Sequence, residues 1–438
     1  MFKFGVSKRE ITPETSLVIP GYFEKRFVTG ALDPLYVKAV VFEGETTAVS
    51  VVADTINLRR DDVLRIRCGI SEKLGIPEGH ISVSATHTHT GGPSWEWFEA
   101  GEHDPYYMTI LIDSAIAAAE EAYETRVPAK IGFAAAQVEG YSFIRRFRMK
   151  NGTFRTNPGF NNPEIDHPLG TPDNTYIVGK VTDTNGKPLA FLSSYGVHLD
   201  MISGNKVSAD YPGVLARLVE EKFGVESVFF TAPCGNTNHL NFRELPVDEP
   251  HPDLPAHERT GHALFRALCA IEGEISCTEE AVSVKREFLA ARLRKPDPET
   301  VDTAYRFLSG EDLRFSHGMG HVSHHVTRHL AQATVAAHQN PVRMIDVELQ
   351  LFDFGSFAMV FWPAEVFVEY GKAVREAFPD KKILIAELSN ASFQCYLPTE
   401  EAIEQGGYEP TITGAVTPEP KIGSDLVRES IRLLGGAV

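Results

Sequence analysis

The chain has 438 residues, 43% of them apolar and 23% charged, which suits a large folded core and excludes general disorder. Its net charge of −17 argues against a nucleic-acid partner, which wants a basic face, and against stable association with an anionic membrane. No stretch resembles a signal peptide or reaches the ~20 apolar residues of a membrane span, so the expectation is a cytoplasmic protein acting on a small molecule. Five scattered cysteines without a Cys-x-x-Cys pair argue against a disulfide framework or a cysteine-only zinc site.

Short apolar runs at 39–42 and 48–53 read as buried strands, and 61–74 as a helix. Residues 81–85 alternate like a strand, and Gly91-Gly92-Pro93 ends the segment. A strong helix covers 106–123, and a strand restarts at 130–133. The polar, basic stretch 143–162 reads as a long surface loop. Strands at 176–182 and 189–195 form a hairpin about Asn185-Gly186. Then come a helix at 212–223, a strand at 225–230, a helix at 257–271 and a strand at 280–288. The last third gives strands at 341–352, 356–362 and 382–388, with a helix at 365–378. This interleaving predicts an α/β fold: one large domain over 1–438, a mixed β-sheet flanked by helices, and a helical insertion or lid at about 295–338.

If the strand at 81–85 runs on, His87 and His89 project to one side, because side chains repeat every two residues. Such a pair suits a zinc ligand with a neighbour that handles protons or substrate; equally, it suits two histidines bonded beside a turn. His198 ends a second apolar strand. Carboxyl ends of strands in α/β sheets converge on one crevice, against the plainer reading of a core histidine bonded to backbone. Glu365 follows a strand and Pro363 at the start of a helix, where a carboxylate also suits the dipole. The loop 232–239 after another strand either lines a site or simply turns.

Taken in order, these motifs resemble the N-terminal catalytic domain of the neutral (non-lysosomal) ceramidase family, zinc amidohydrolases, as a stand-alone member. Thr86–Pro93 is similar to the family's T-H-T-H-S-G-P block, with Thr90 for Ser and an extra Gly. Residues 194–198 resemble its F-A-V-H strand end, Cys234-Gly235-Asn236 its C-G-D loop, and Pro363-Ala364-Glu365 the segment before a helix. Tyr396 and Tyr408, twelve residues apart, match its paired tyrosine motifs, and residues 5–13 its opening. The resemblance implies zinc (Zn2+) ligands His87, His198, Glu365 and Tyr396. It implies catalytic roles for His89, Tyr408 and Arg145, with Asn236, Asn238 and Arg146 at the substrate. Ile144 replaces the Asn that precedes the family's arginine, so Arg145 and Arg146 compete for that place. Asn238 replaces a loop serine, and neither the family's immunoglobulin-like C-terminal domain nor a leader is expected, which directs the expectation away from ceramide.

Two imidazoles, a carboxylate and a phenol form a nitrogen–oxygen set of zinc type. The expected activity is hydrolysis of an amide-type bond in a small polar N-acyl or cyclic amide. The alternatives are ester or lactone hydrolysis on the same fold, and a non-catalytic metal- or ligand-binding protein; oligomeric state is not legible. Arg145, Arg146, Arg148, Lys150 and Arg155 make 143–162 a basic patch, either a solvated loop or a recognition site for a polar or anionic group. The histidine-rich segment 317–329 reads as a lid or solvated helix rather than a second metal site, since no acidic partner lies nearby in sequence.

Overall fold

The computed structural model describes residues 1–244, 250–313, 323–391, 393 and 395–436. Its centre is an eight-stranded mixed sheet in the order Glu226–Thr231, Pro188–Tyr195, Thr175–Asp183, Val127–Gln137, Lys3–Glu10, Tyr36–Glu43, Thr47–Ala53, Ile81–Ala85. The inner neighbours pair antiparallel, and the two outermost pairs are parallel. A second sheet orders Ser283–Arg292, Met344–Asp353, Phe357–Phe361 and Lys382–Ala386, its last pair parallel.

Four layers follow from the strand period. In Tyr36–Glu43, Val37, Ala39 and Val41 face the helices Arg60–Leu74 and Pro105–Glu124, whereas Val40 and Phe42 face the second sheet. Both faces are covered, which explains why these strands read as near-continuous apolar runs. Between the sheets, Phe42, Ile177, Leu192 and Phe230 meet Phe352, Phe361 and Leu384. Beyond the second sheet, Val368–Glu376 and Lys421–Leu433 close the stack. The helix Pro105–Glu124 starts cleanly because Asp104 accepts from the Tyr107 N–H (2.7 Å) and Pro105 occupies the first turn.

Three expectations change. The stretch 143–162 is no simple surface loop: Arg146–Met149 pairs with both Phe154–Thr156 and Ile165–Pro168 in a small antiparallel sheet, which buries Arg145 and Arg146. The helix expected from Glu365 begins at Val368. Glu365 and Val366 instead form a short parallel pairing with Tyr396 and Leu397, so Glu365 is not a helix cap. The strand Ile81–Ala85 stops before His87, whose φ of 74° breaks the alternation. At 295–338, helices Pro298–Leu308 and His324–Gln339 pack together through Ala304, Leu330 and Ala331. His317 and His321 lie outside the described residues.

Candidate metal centre and active site

The three parallel pairs of the two large sheets bring strand ends to one place. Ile81–Ala85 leads to His87, Pro188–Tyr195 to His198, Phe357–Phe361 to Glu365, and Lys382–Ala386 towards Tyr396. Cross-links hold these ends in register. The Thr231 hydroxyl donates to Thr86 O (2.6 Å), Glu387 N to Thr231 O (2.9 Å), and Ala85 N to Leu388 O (3.1 Å). Convergence at carboxyl ends thus holds across two sheets.

His87 and His198 are oriented by backbone. Their Nδ1 atoms lie 2.8 Å from Ile56 O and 3.1 Å from Cys234 O. A carbonyl only accepts, so each Nδ1 carries a proton, and in the neutral ring each Nε2 presents a lone pair. Both point at Glu365 Oε2, at 3.3 and 3.1 Å. The His87 approach lacks hydrogen-bond geometry, and its Nε2 is buried without a partner. Acceptors facing one another in a buried space need a proton or a cation among them. Backbone-locked imidazoles are also the usual preparation of metal ligands.

His89 lies beside them, its ring 4.9 Å from His87 and 5.8 Å from His198. Donor atoms of the three histidines fall within 4.8 Å of one another, a metal-type cluster found nowhere else among the described residues. Both ring nitrogens of His89 are buried without partners, unlike the anchored Nδ1 atoms of its neighbours. Gly21 backs it closely: a Cβ there would sit 2.9 Å from His89 Cα.

Strain marks the same spots. His87 and Ala364, the residue before Glu365, both hold left-handed backbone (φ 74° and 66°), uncommon without glycine and frequent at functional sites. Gly235 is required for another reason, since a Cβ would lie 2.7 Å from Glu365 O.

Tyr396 stacks near His198 with ring centroids 6.4 Å apart, and Tyr408 meets Tyr396 at 5.5 Å. Arg145 hydrogen-bonds the Tyr396 side chain, donates from Nε to Glu409 Oε1 (2.7 Å) and from Nη2 to Gly235 O (2.8 Å). Arg146 turns away, its Nη2 donating to Gly406 O (2.9 Å) and its Nε lying 3.6 Å from Glu409. The geometry thus separates the two arginines: Arg145 lines the cavity and Arg146 does not. Asn236 and Asn238 also sit behind the lining. Asn236 bonds Glu369 and the Val368 N–H, and Asn238 bonds Asn157, which does line it.

Charge follows burial and neighbours. Burial opposes charge on His87, but the Glu365 carboxylate outweighs it and raises its pKa. Burial and Arg145 lower that of His198, and burial with His87 beside it lowers His89 to about 3. For Glu365, burial is overcome by His87 and His198, which hold it well below the usual range. Burial keeps Tyr396 and Tyr408 protonated, with Glu365 adding to the effect. Behind the cluster, Glu387 is pushed up to about 8 by burial; its carboxyl accepts from the Val366 N–H (2.7 Å) and the Cys234 thiol (3.0 Å).

The cavity measures about 400 Å³. One wall is aromatic: Phe23 packs edge-on to Trp97 (5.9 Å) and Tyr408 (6.0 Å), and the Trp97 indole N–H donates to His329 Nε2 (2.7 Å). Val326 of the helix His324–Gln339 also faces the cavity, so this part of the histidine-rich segment forms wall. The residues missed from sequence were Tyr22, Phe23, Trp97 and Glu409. The last follows Tyr408 directly, and the aromatics carried no periodic signal. A larger cavity, about 560 Å³, lies near Lys38 and Asp54 and holds no such donor cluster among the described residues.

No family model matches the sequence, and no curated protein matches it. Among solved structures, neutral ceramidase from Pseudomonas aeruginosa superposes with a TM-score of 0.72 at 18% identity, over 98% of this chain and 73% of that one. A ceramidase complexed with C2 gives 0.71 at 17% identity, over 98% and 74%. No described helix is long and apolar enough to cross a membrane. The chain has the fold of neutral ceramidase.

Proposed function

We propose that this chain is a zinc-dependent hydrolase of an amide-type bond in a small polar N-acyl or cyclic amide. The observation that carries the proposal is the convergence of His87 Nε2, His198 Nε2 and Glu365 Oε2 in a buried space, with His87 Nε2 lacking a hydrogen-bond partner. The fold shared with ceramidases is in keeping with it. His87, His198, Glu365 and Tyr396 would hold the ion, a nitrogen–oxygen set that zinc favours. When bound, zinc supplies Lewis acidity and lowers the pKa of water to ~7.

The remaining residues act on the substrate. His89, kept neutral by burial beside His87, donates one N–H to the oxygen of the polarised carbonyl. Tyr408, kept a phenol, offers a second donor from the aromatic side. Arg145, clamped by Glu409 and Gly235, fixes the Tyr396 phenol and keeps positive charge beside it.

Metal analysis with a substrate panel tests the reading. One zinc per chain is expected, and His198→Ala or Glu365→Ala should remove metal and amide turnover together. Retention of stoichiometric zinc by both variants would refute the ligand set. Faster turnover of matched esters or lactones than of amides would move the function to that bond.

A further inference from the structure

The cavity's charges almost all have partners. Glu365 faces the histidines, Arg145 is matched by Glu409 at 2.7 Å, and Asp200 by His239 at 3.1 Å. Arg155 differs. It lines the same cavity from the strand Phe154–Thr156, yet among the described residues its guanidinium makes no ion pair or side-chain hydrogen bond. Its strand is nonetheless held: Phe147 pairs with Arg155 through the backbone, and the Thr156 hydroxyl donates to Glu409 Oε2 (2.7 Å). Of the neighbouring arginines, Arg146 is spent on backbone carbonyls and Arg148 turns towards Asp166 (4.0 Å).

Building on the hydrolase reading above, we infer that the substrate carries a carboxylate received by Arg155, while the wall of Phe23 and Trp97 takes an apolar acyl group. A guanidinium fork matches a carboxylate in two parallel hydrogen bonds. The aromatic side chains of the same cavity offer apolar area without a charge of their own. The cavity lies at the small end of ordinary ligand sites, which run ~300–1,000 Å³. An N-acyl amino acid with a short acyl chain satisfies all three. In its hydrolysis the water oxygen bonds to the acyl carbon and the C–N bond breaks. The electron pair stays on nitrogen, which takes a water proton, giving a fatty acid and an amino acid.

The test compares N-hexanoylglycine with its neutral carboxamide, N-hexanoylglycinamide, on the zinc-loaded protein. Wild type should prefer the carboxylate by ~10–100-fold in kcat/KM, the range of a charged hydrogen-bonded contact, and mostly through KM. In Arg155→Gln that ratio should collapse towards one, and Arg155→Lys should restore part of it. Equal turnover of both compounds by wild type, or an unchanged ratio in Arg155→Gln, would overturn the inference. Should neither compound be hydrolysed, the hydrolase reading falls, and calorimetric binding of the same pair still decides. Wild type should then bind N-hexanoylglycine more tightly than the carboxamide by the same factor and Arg155→Gln should not; equal affinities would overturn it.

Discussion

Glu409 is the most consequential residue outside the proposed ligand set. Its side chain is fully buried and serves two guanidiniums, Arg145 at 2.7 Å and Arg146 at 3.6 Å, together with the Thr156 hydroxyl at 2.7 Å. Arg146 keeps its bond to Gly406 O if Glu409 is removed, and Arg145 keeps Gly235 O, but neither keeps a carboxylate in ion-pair contact among the described residues. Breaking a buried pair from one side costs ~3–5 kcal/mol, so Glu409→Ala should lose about that much. Glu409→Gln retains the volume and one acceptor, and should cost ~1.5–3 kcal/mol. The exposed pair Arg306–Glu311 provides the contrast: at 2.8 Å its distance is similar, yet solvent screening leaves Glu311→Ala with little effect on stability. Urea unfolding followed by both fluorescence and circular dichroism reads these values from midpoint and slope, provided the two probes coincide. If Glu409→Ala lies within ~1 kcal/mol of wild type, or costs no more than Glu311→Ala, the claim that burial makes this pair costly to break is wrong.

Two further outcomes follow from the same geometry. His89→Ala should retain zinc, because His89 lacks the backbone anchor that orients His87 and His198, and should lose kcat by ~10²–10⁴-fold; loss of zinc would make His89 a ligand instead. His329 sits buried against Trp97 with its pKa lowered to about 4, chiefly by burial, so between pH 6.5 and 4 the unfolded chain takes up a proton that the folded one refuses. Its contribution is full above pH 6.5 and fades as pH falls towards 4. Wild type should therefore lose about 3 kcal/mol more than His329→Gln on acidification across that window, and parallel pH–stability curves for the two would refute the assignment.

Most of the architecture was legible because its signals are local. The strands 39–42 and 48–53, the helix 61–74 and the hairpin about Gly186 all lie within observed elements, since each buries a regular pattern of apolar residues. The stretch 143–162 failed on the same rule. Its short strands are polar on the outside; on the inside Phe147 and Met149 pack against Phe242, and Arg145 and Arg146 are buried against Glu409, which lies more than 250 residues away. Composition cannot show such a partner.

The site divides in the same way. His87, His198 and Glu365 could be proposed because each follows an apolar strand, and parallel pairing then carries those ends to one point. The pairing of His87 with His89 has another origin. Strand alternation does not bring them together; the left-handed turn at His87 does, after the strand has ended at Ala85. That turn also aims the His87 Nδ1 at Ile56 O and so frees Nε2 for the cavity. A β-strand at this point would have exposed both imidazoles alike, whereas the turn makes them different: one ring anchored to backbone, the other with two unpartnered nitrogens. The proposed division of labour between ligand and substrate-facing histidine therefore rests on a backbone conformation, one that residue spacing alone does not specify.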